Sequence, residues 1–219
     1  MNVKRLAEPM DSGIRAFTLI ELIVMVAVVV LLLFIVLPAA KRDRDRSLRI
    51  SCASNLKHIG LAVKTFALDA KDQYPMNVEA KNGGSLEAVS TSEVFRHFQA
   101  LSNELSTPIL LVCPADSRKR ATNFTALANS KVTYFIGLDA KDSMPNMFLS
   151  GDRNLTNGTL LSPNQVLVLT TNRPVGWTHE VHKFAGNVAL ADGSVQGFTS
   201  SKLNQALIAS GETNRLAIP

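Results

Sequence analysis

This chain is poor in cysteine and in aromatic residues. In 219 residues it has two cysteines and one tryptophan, and aromatic residues make up only 6%. So few aromatics give no sign of a surface for stacking sugars or bases. No G-x-S-x-G nucleophile motif and no phosphate-binding loop is present. The sequence therefore predicts no enzyme, and we expect no cofactor.

The net charge of +5 is unevenly distributed. Residues 41–49, KRDRDRSLR, hold five positive and two negative side chains. A nucleic-acid-binding face would interleave aromatic residues with these charges, and this segment has none, so we expect no nucleic acid. Because the segment directly follows an apolar run, we expect it to contact anionic lipid headgroups or acidic residues of neighbouring subunits. A solvated helix face is the alternative.

The apolar run covers residues 17–37. Among these 21 residues only Glu21 is charged, and Thr18 is the only other polar residue. As a helix the run spans roughly 30 Å, the thickness of a bilayer core. The sequence thus predicts a leader over 1–16, a transmembrane helix over 17–39, an amphipathic continuation over 40–70 and a globular domain over 71–219.

Glu21 is out of place in this run, because a carboxylate inside a membrane is costly unless it is paired. It follows Phe17 by four residues, so it can reach a positive charge at the start of the helix. The chain itself offers only Arg15 there. A cut before Phe17 would create an α-amino group, on this chain or on a neighbour, that supplies the charge.

The string AFTLIELIVMVAVVVLLL after a short charged leader resembles the cleavage and methylation segment of type IV pilins and type II secretion pseudopilins. This resemblance implies that a prepilin peptidase cuts between Ala16 and Phe17 and methylates the new amino group of Phe17. It also implies that Glu21 pairs with the N-terminus of an adjacent subunit during assembly. Ala16 departs from the family, which nearly always has glycine there.

The resemblance implies a structural filament subunit in the inner membrane, with one membrane span and an extracytoplasmic, periplasmic domain. Its partners would be other pilin or pseudopilin subunits, the prepilin peptidase and the secretion machinery. More Lys and Arg residues follow the apolar run than precede it, so the positive-inside rule would place the globular domain in the cytoplasm. We keep the family's orientation because the leader must meet the peptidase in the cytoplasm. The alternative is a membrane-anchored binding module that uses the same leader without polymerising.

The pattern of the remaining chain predicts an α+β, pilin-like fold, with one long helix packed on a mostly antiparallel sheet. The helix continues to Ala70, because apolar residues recur at steps of three and four: Leu48, Cys52, Leu56, Ile59, Val63 and Phe66. Further helices are expected over 92–105, with Ser92 as N-cap, and over 201–210. Strands are expected over 109–113, 131–138, 165–171, 186–191 and 194–199, the last two forming a hairpin around an Asp-Gly turn.

Four segments also resemble a second group, the pseudopilin-like proteins that carry an H-x9-DG motif. His182 is followed by nine residues and then by Asp192 and Gly193. CASNLKHIGLAVKTFALD from residue 52, CPAD from residue 113 and SGDRNL from residue 150 resemble the same group. The residues themselves favour a structural interpretation, in which Asp192 caps its turn and His182 bonds to that turn. A catalytic pair, or a metal site with His179, is the alternative.

Cys52 and Cys113 lie far apart in sequence. Outside the cytoplasm a disulfide between them is permitted, and buried free thiols are the alternative. We expect both to face the interface of helix and sheet.

Oxygen-rich loops can bind calcium, which some major pseudopilins bind. The candidate ligands are Asp139, Asp142 and Asp152, with Asn146 and Asn154 nearby, and no EF-hand spacing is present.

Overall fold

The computed structural model describes residues 17–159, 161–211 and 213–219, and the chain divides into two units after Asp43. The leader, with the expected cleavage residue Ala16, lies outside the described residues. Helix α1 (Leu19–Asp69) begins in the first unit and ends in the second. The long N-terminal helix is therefore confirmed, and it ends one residue before the expected Ala70.

The first unit presents an apolar surface on all sides of its helix. Every side chain from residue 17 to residue 37 is exposed, and an 18-residue window of α1 has a mean hydropathy of 3.4. Among the described residues α1 is the one helix long and apolar enough to cross a membrane. A helix that is apolar all round needs an apolar surrounding, which a bilayer supplies.

In the second unit α1 buries one stripe along one of its faces. Cys52, Leu56, Ile59 and Val63 are each 0% exposed, as the spacing predicted. Lys57 between them is exposed. Each fully buried Leu or Ile contributes about 1.5–3 kcal/mol, so this stripe fixes the helix to its domain.

The second unit contains eight strands among its described residues: β1 (Tyr134–Gly137), β2 (Phe148–Asp152), β3 (Leu155–Thr156), β4 (Gln165–Leu169), β5 (Gly176–Trp177), β6 (Ala185–Leu190), β7 (Val195–Thr199) and β8 (Asn214–Ile218). Six form one sheet in the order β4-β8-β1-β2-β6-β7, and every neighbouring pair is antiparallel. β3 and β5 form a separate antiparallel pair. The expected α+β layout with an antiparallel sheet is confirmed.

A helix covers each face of the six-stranded sheet. Successive residues of a strand point to opposite faces, so Tyr134 and Ile136 join the core under α1, while Phe135 joins the core on the other side. That second core includes Leu203 and Leu207 of α4 (Ser200–Ala209), a helix expected over 201–210. The sheet therefore lies between the second half of α1 and α4.

Two predicted elements are wrong. The helix over 92–105 is two helices, α2 (Val94–Ala100) and α3 (Ser102–Leu105), and Ser92 does not cap α2. The strand over 109–113 is a short 3-10 helix, Pro108–Leu111. Its start follows from local chemistry, because Pro108 fixes φ and the Thr107 hydroxyl accepts a hydrogen bond from the N–H of Ile109 at 3.4 Å. Other 3-10 turns are Pro75–Asn77, Ala80–Asn82, Leu86–Ser90 and Asn129–Lys131.

Two side chains of the charged segment bind other residues of the second unit, to which they belong. Arg49 donates to the carbonyl of Gly186 at 3.3 Å and to Oδ1 of Asn187 at 3.4 Å. Asp45 forms an ion pair with Lys183. Asp45 and Arg49 therefore have partners within this chain, so not all of the charges of 44–49 are available for the expected contacts with lipid headgroups or neighbouring subunits.

Candidate functional site

The first candidate site is the start of α1, where Thr18 and Glu21 form a reciprocal cap. The Glu21 carboxylate accepts hydrogen bonds from the N–H and the hydroxyl of Thr18, both at 2.9 Å. The N–H of Glu21 in turn donates to the Thr18 hydroxyl at 3.3 Å. This is a capping box, which satisfies N–H groups that the first turn of a helix leaves unpaired. The sequence signal for this cap is the T-x-x-E spacing of Thr18 and Glu21.

The cap leaves Glu21 accessible. Its side chain is exposed, and so is the side chain of Phe17, at 74%. A carboxylate has about four lone-pair sites, so bonds to Thr18 do not exhaust it. The arrangement can therefore accept a cation from another molecule while the helix start stays capped.

The second candidate site lies inside the second unit, where the four segments that resemble the H-x9-DG group meet. Cys52 on α1 and Cys113 form a disulfide with their Cα atoms 5.2 Å apart, and both are 0% exposed. Asp152, at the end of β2, and His182 lie against this disulfide. One ligand atom from each of the four residues lies within 4.8 Å of the others. This cluster, Cys52, Cys113, Asp152 and His182, is called the buried cluster below.

His182 contacts the disulfide and Asp152, which corrects the expectation that it bonds to the Asp-Gly turn. Its Nε2 lies 3.4 Å from Sγ of Cys113 and 3.5 Å from Oδ2 of Asp152. Burial lowers the pKa of His182 to about 4 and raises the pKa of Asp152 to about 7, although Asn187 donates two hydrogen bonds to that carboxylate. The imidazole is therefore neutral at pH 7, and its contact with Asp152 is not an ion pair.

The loop that carries His182 has an unusual backbone. Val181, Lys183 and Phe184 have φ values of 60°, 52° and 63°. The left-handed region is costly for residues with a Cβ and most of all for a β-branched residue such as valine. Asn154 of the SGDRNL segment braces the loop, because its amide donates to the carbonyls of Thr178 at 3.2 Å and Ala185 at 3.1 Å.

An ion-pair network lies beside the buried cluster. Asp116 of the CPAD segment accepts hydrogen bonds from Arg153 and from the hydroxyl of Thr133, both at 2.9 Å. Burial alone would raise the pKa of Asp116, but the hydrogen bonds and charge of Arg153 hold that pKa below its usual value. Arg153 also pairs with Glu180 at 2.7 Å. The network therefore links the CPAD and SGDRNL segments to the loop that carries His182.

Asp192 and Gly193 make the turn between β6 and β7. Oδ1 of Asp192 accepts a hydrogen bond from the N–H of Ser194 at 2.8 Å, and Gly193 has φ +86°. The N–H of Gly193 donates to the carbonyl of Leu190 at 2.9 Å. Asp192 thus acts as the turn residue that its position before glycine suggested.

His179 does not join His182 in a two-histidine site. Its ring packs edge-on against Phe184, with the ring centroids 5.3 Å apart.

The calcium candidates have separate surroundings. Asp139 pairs with Arg215 at 2.5 Å, and Asp142 pairs with Lys64 at 2.9 Å and accepts from the Tyr74 hydroxyl at 3.2 Å. Asp152 belongs to the buried cluster. The three carboxylates therefore do not form one oxygen-rich loop site.

Among the described residues, the buried cluster is the group of at least three His, Cys, Asp or Glu side chains that lie close enough together to hold a metal ion.

Comparison of the chain with protein-family models, with curated proteins and with solved structures finds no match.

Proposed function

We propose that this chain is a structural subunit of a pilin-like filament, of the kind found in type II secretion pseudopili or type IV pili. The carrying observation is Glu21, the one charged residue in the fully exposed apolar stretch 17–37, held at the first turn of α1. A bilayer or a filament core would surround this stretch with apolar groups. A carboxylate in that setting calls for a cationic partner.

Maturation would create that partner. A cut between Ala16 and Phe17 turns the backbone nitrogen of Phe17 into an amine, which is positively charged at neutral pH. The amine of one subunit would then pair with Glu21 of the next. Because the apolar packing of two helices is tolerant of axial sliding, this charge pair would select one register.

The second unit supports an extracytoplasmic location. Disulfides persist in oxidising compartments, and Cys52 and Cys113 form one within the buried core. We propose a single span in the cytoplasmic membrane, with residues 44–219 on its outer side. Other subunits, the prepilin peptidase and the secretion machinery would be the partners.

N-terminal mass spectrometry of the protein from its own membrane tests the maturation step. The chain should begin at N-methyl-Phe17 and be about 1.8 kDa lighter than the full chain, at an average of about 110 Da per residue. Ala16→Gly should be processed at least as fully, and Ala16→Leu should keep its leader. A Met1 terminus on the wild-type chain, or a cut after the apolar run, would contradict the proposal.

A further inference from the structure

We propose that the buried cluster binds one zinc ion when its disulfide is reduced. Cys52, Cys113, Asp152 and His182 would then alternate between two cross-links at the same point of the core: a disulfide when oxidised and a tetrahedral zinc site when reduced.

The two distances from Nε2 of His182 to its neighbours match those between ligands of a zinc tetrahedron. With bonds of about 2.3 Å to sulfur and about 2.0–2.2 Å to nitrogen and oxygen, neighbouring ligands of one zinc ion lie about 3.3–3.8 Å apart. Nε2 of His182 lies 3.4 Å from Sγ of Cys113 and 3.5 Å from Oδ2 of Asp152. Loss of the bond between the sulfurs lets them separate to the distance of two thiolates on one ion. The other two ligands already stand in place.

The carboxylate of Asp152 has an unused acceptor. The residue is 0% exposed, and its Oδ1 has no hydrogen-bond partner among the described residues. Asn187 donates twice to the other oxygen, Oδ2, at 2.7 and 3.1 Å. A buried, unsatisfied carboxylate oxygen is costly, and a cation that is bound through Oδ2 and also contacts Oδ1 would remove that cost.

The ligand set selects zinc over calcium or magnesium. Two cysteines and a histidine are soft or borderline ligands, whereas calcium and magnesium take oxygen ligands almost exclusively. Zn²⁺ with two thiolates and one carboxylate leaves the site with one negative charge. Arg49 donates to Oδ1 of Asn187 at 3.4 Å, and Asn187 donates to Oδ2 of Asp152, so the guanidinium lies close enough to balance that charge.

The change between the two states balances as a two-electron reduction. A dithiol or a phosphine supplies two electrons, and the dithiol becomes a disulfide or the phosphine a phosphine oxide with oxygen from water. The S–S bond breaks and two thiols form. Zinc binding then releases the two thiol protons, because the metal binds thiolates.

Zinc uptake by the full chain in detergent tests this proposal. The protein is incubated with Zn²⁺ alone, with or without a phosphine reductant, and bound metal is counted after anaerobic desalting. The reduced chain should hold about one zinc ion and the oxidised chain essentially none. Co²⁺ in place of zinc should give thiolate charge-transfer absorption and the intense visible bands of a tetrahedral ion.

Matched variants identify the ligands. In the reduced state Asp152→Asn and His182→Gln should each weaken zinc binding by at least about 10-fold. Asp142→Asn, which removes a carboxylate outside the cluster, should bind as the wild type does. If a variant does not fold, the Co²⁺ spectrum of the reduced wild-type chain still tests the proposal.

Three results would overturn the proposal. One is a reduced wild-type chain that takes up no zinc. Another is an octahedral Co²⁺ spectrum without thiolate absorption. The third is equal zinc affinity in the wild type, Asp152→Asn and His182→Gln.

Discussion

Cys52 and Cys113 lie 61 residues apart in sequence, yet their Cα atoms are 5.2 Å apart and a disulfide joins them. The bond ties α1 to the segment that precedes the sheet. A cross-link that closes a loop of this length stabilises the fold by about 4 kcal/mol if it acts by restricting the unfolded chain.

Removal of the disulfide should therefore lower the free energy of unfolding of the second unit by about 4 kcal/mol. The variant is Cys52→Ala with Cys113→Ala, unfolded in urea with a chelator present. Trp177, the single tryptophan, is buried and reports the transition by its fluorescence. Reduced wild-type protein in chelator serves as the matched control and should be destabilised similarly. A loss below about 1 kcal/mol would show that the bond contributes little.

The buried His97 makes the free energy of unfolding depend on pH. It is 0% exposed, its Nδ1 lies 2.8 Å from the Ser85 hydroxyl, and burial lowers its pKa from 6.5 to about 4. The unfolded chain binds a proton at this histidine more readily than the folded chain does. The stability that depends on neutral His97 is therefore complete above pH 6.5 and is lost as the pH falls towards 4. The loss should reach about 3 kcal/mol.

The comparison of wild type with His97→Gln isolates this effect. The stability difference between the two should shrink as the pH falls from 7 to 4, because glutamine does not titrate. Urea unfolding at several pH values, followed by Trp177 fluorescence, measures it. A stability difference that stays constant with pH would refute the assignment.

Asp192 should act through its turn alone. Asp192→Ala loses the hydrogen bond to the Ser194 N–H and should cost about 1 kcal/mol, whereas Asp192→Asn keeps an acceptor oxygen and should cost less than about 0.5 kcal/mol. Gly193→Ala should cost about 1 kcal/mol because φ is +86°. Urea unfolding measures all three. An Asn variant as destabilised as the Ala variant would show that Asp192 depends on its charge.

Local patterns predicted the elements that local chemistry determines. The apolar steps from Cys52 to Phe66 gave the buried face of α1, and the Asp-Gly pair gave the β6–β7 hairpin. Strand β2 was missed because its sequence, FLSGD, holds polar residues although all five are buried. Ser150 is satisfied there by donating to the carbonyl of Phe135 at 2.7 Å, a partner that only the folded sheet provides.

The buried cluster could not be predicted from the sequence, because its members also meet only in the folded chain. Cys113 and His182 meet across 69 residues, and no spacing rule connects them. Each segment is recognisable by itself, and the motif favours the Asp192 turn as the partner of His182, whereas the folded chain places His182 against Cys113 and Asp152. The cap at Thr18 was within reach, since the T-x-x-E spacing is local.

Glu21 has two roles, because it caps α1 and carries a negative charge. Glu21→Ala removes both the cap and the charge. Glu21→Gln keeps an amide oxygen for Thr18, as glutamine does in a capping box, but removes the charge. Thr18→Ala removes the side-chain half of the cap and keeps the charge. The three variants therefore distinguish helix capping from pairing between subunits.

The most direct measurement is filament assembly in cells that carry each variant beside the wild type, by shear fraction and by crosslinking between subunits. All four chains should insert into the membrane and lose their leader. The wild type and Thr18→Ala should assemble, and Glu21→Ala and Glu21→Gln should not, because neither can neutralise the amine of Phe17 on the next subunit. Assembly of Glu21→Gln at the wild-type level would contradict the pairing, and a wild type that never multimerises would favour a membrane-anchored binding module.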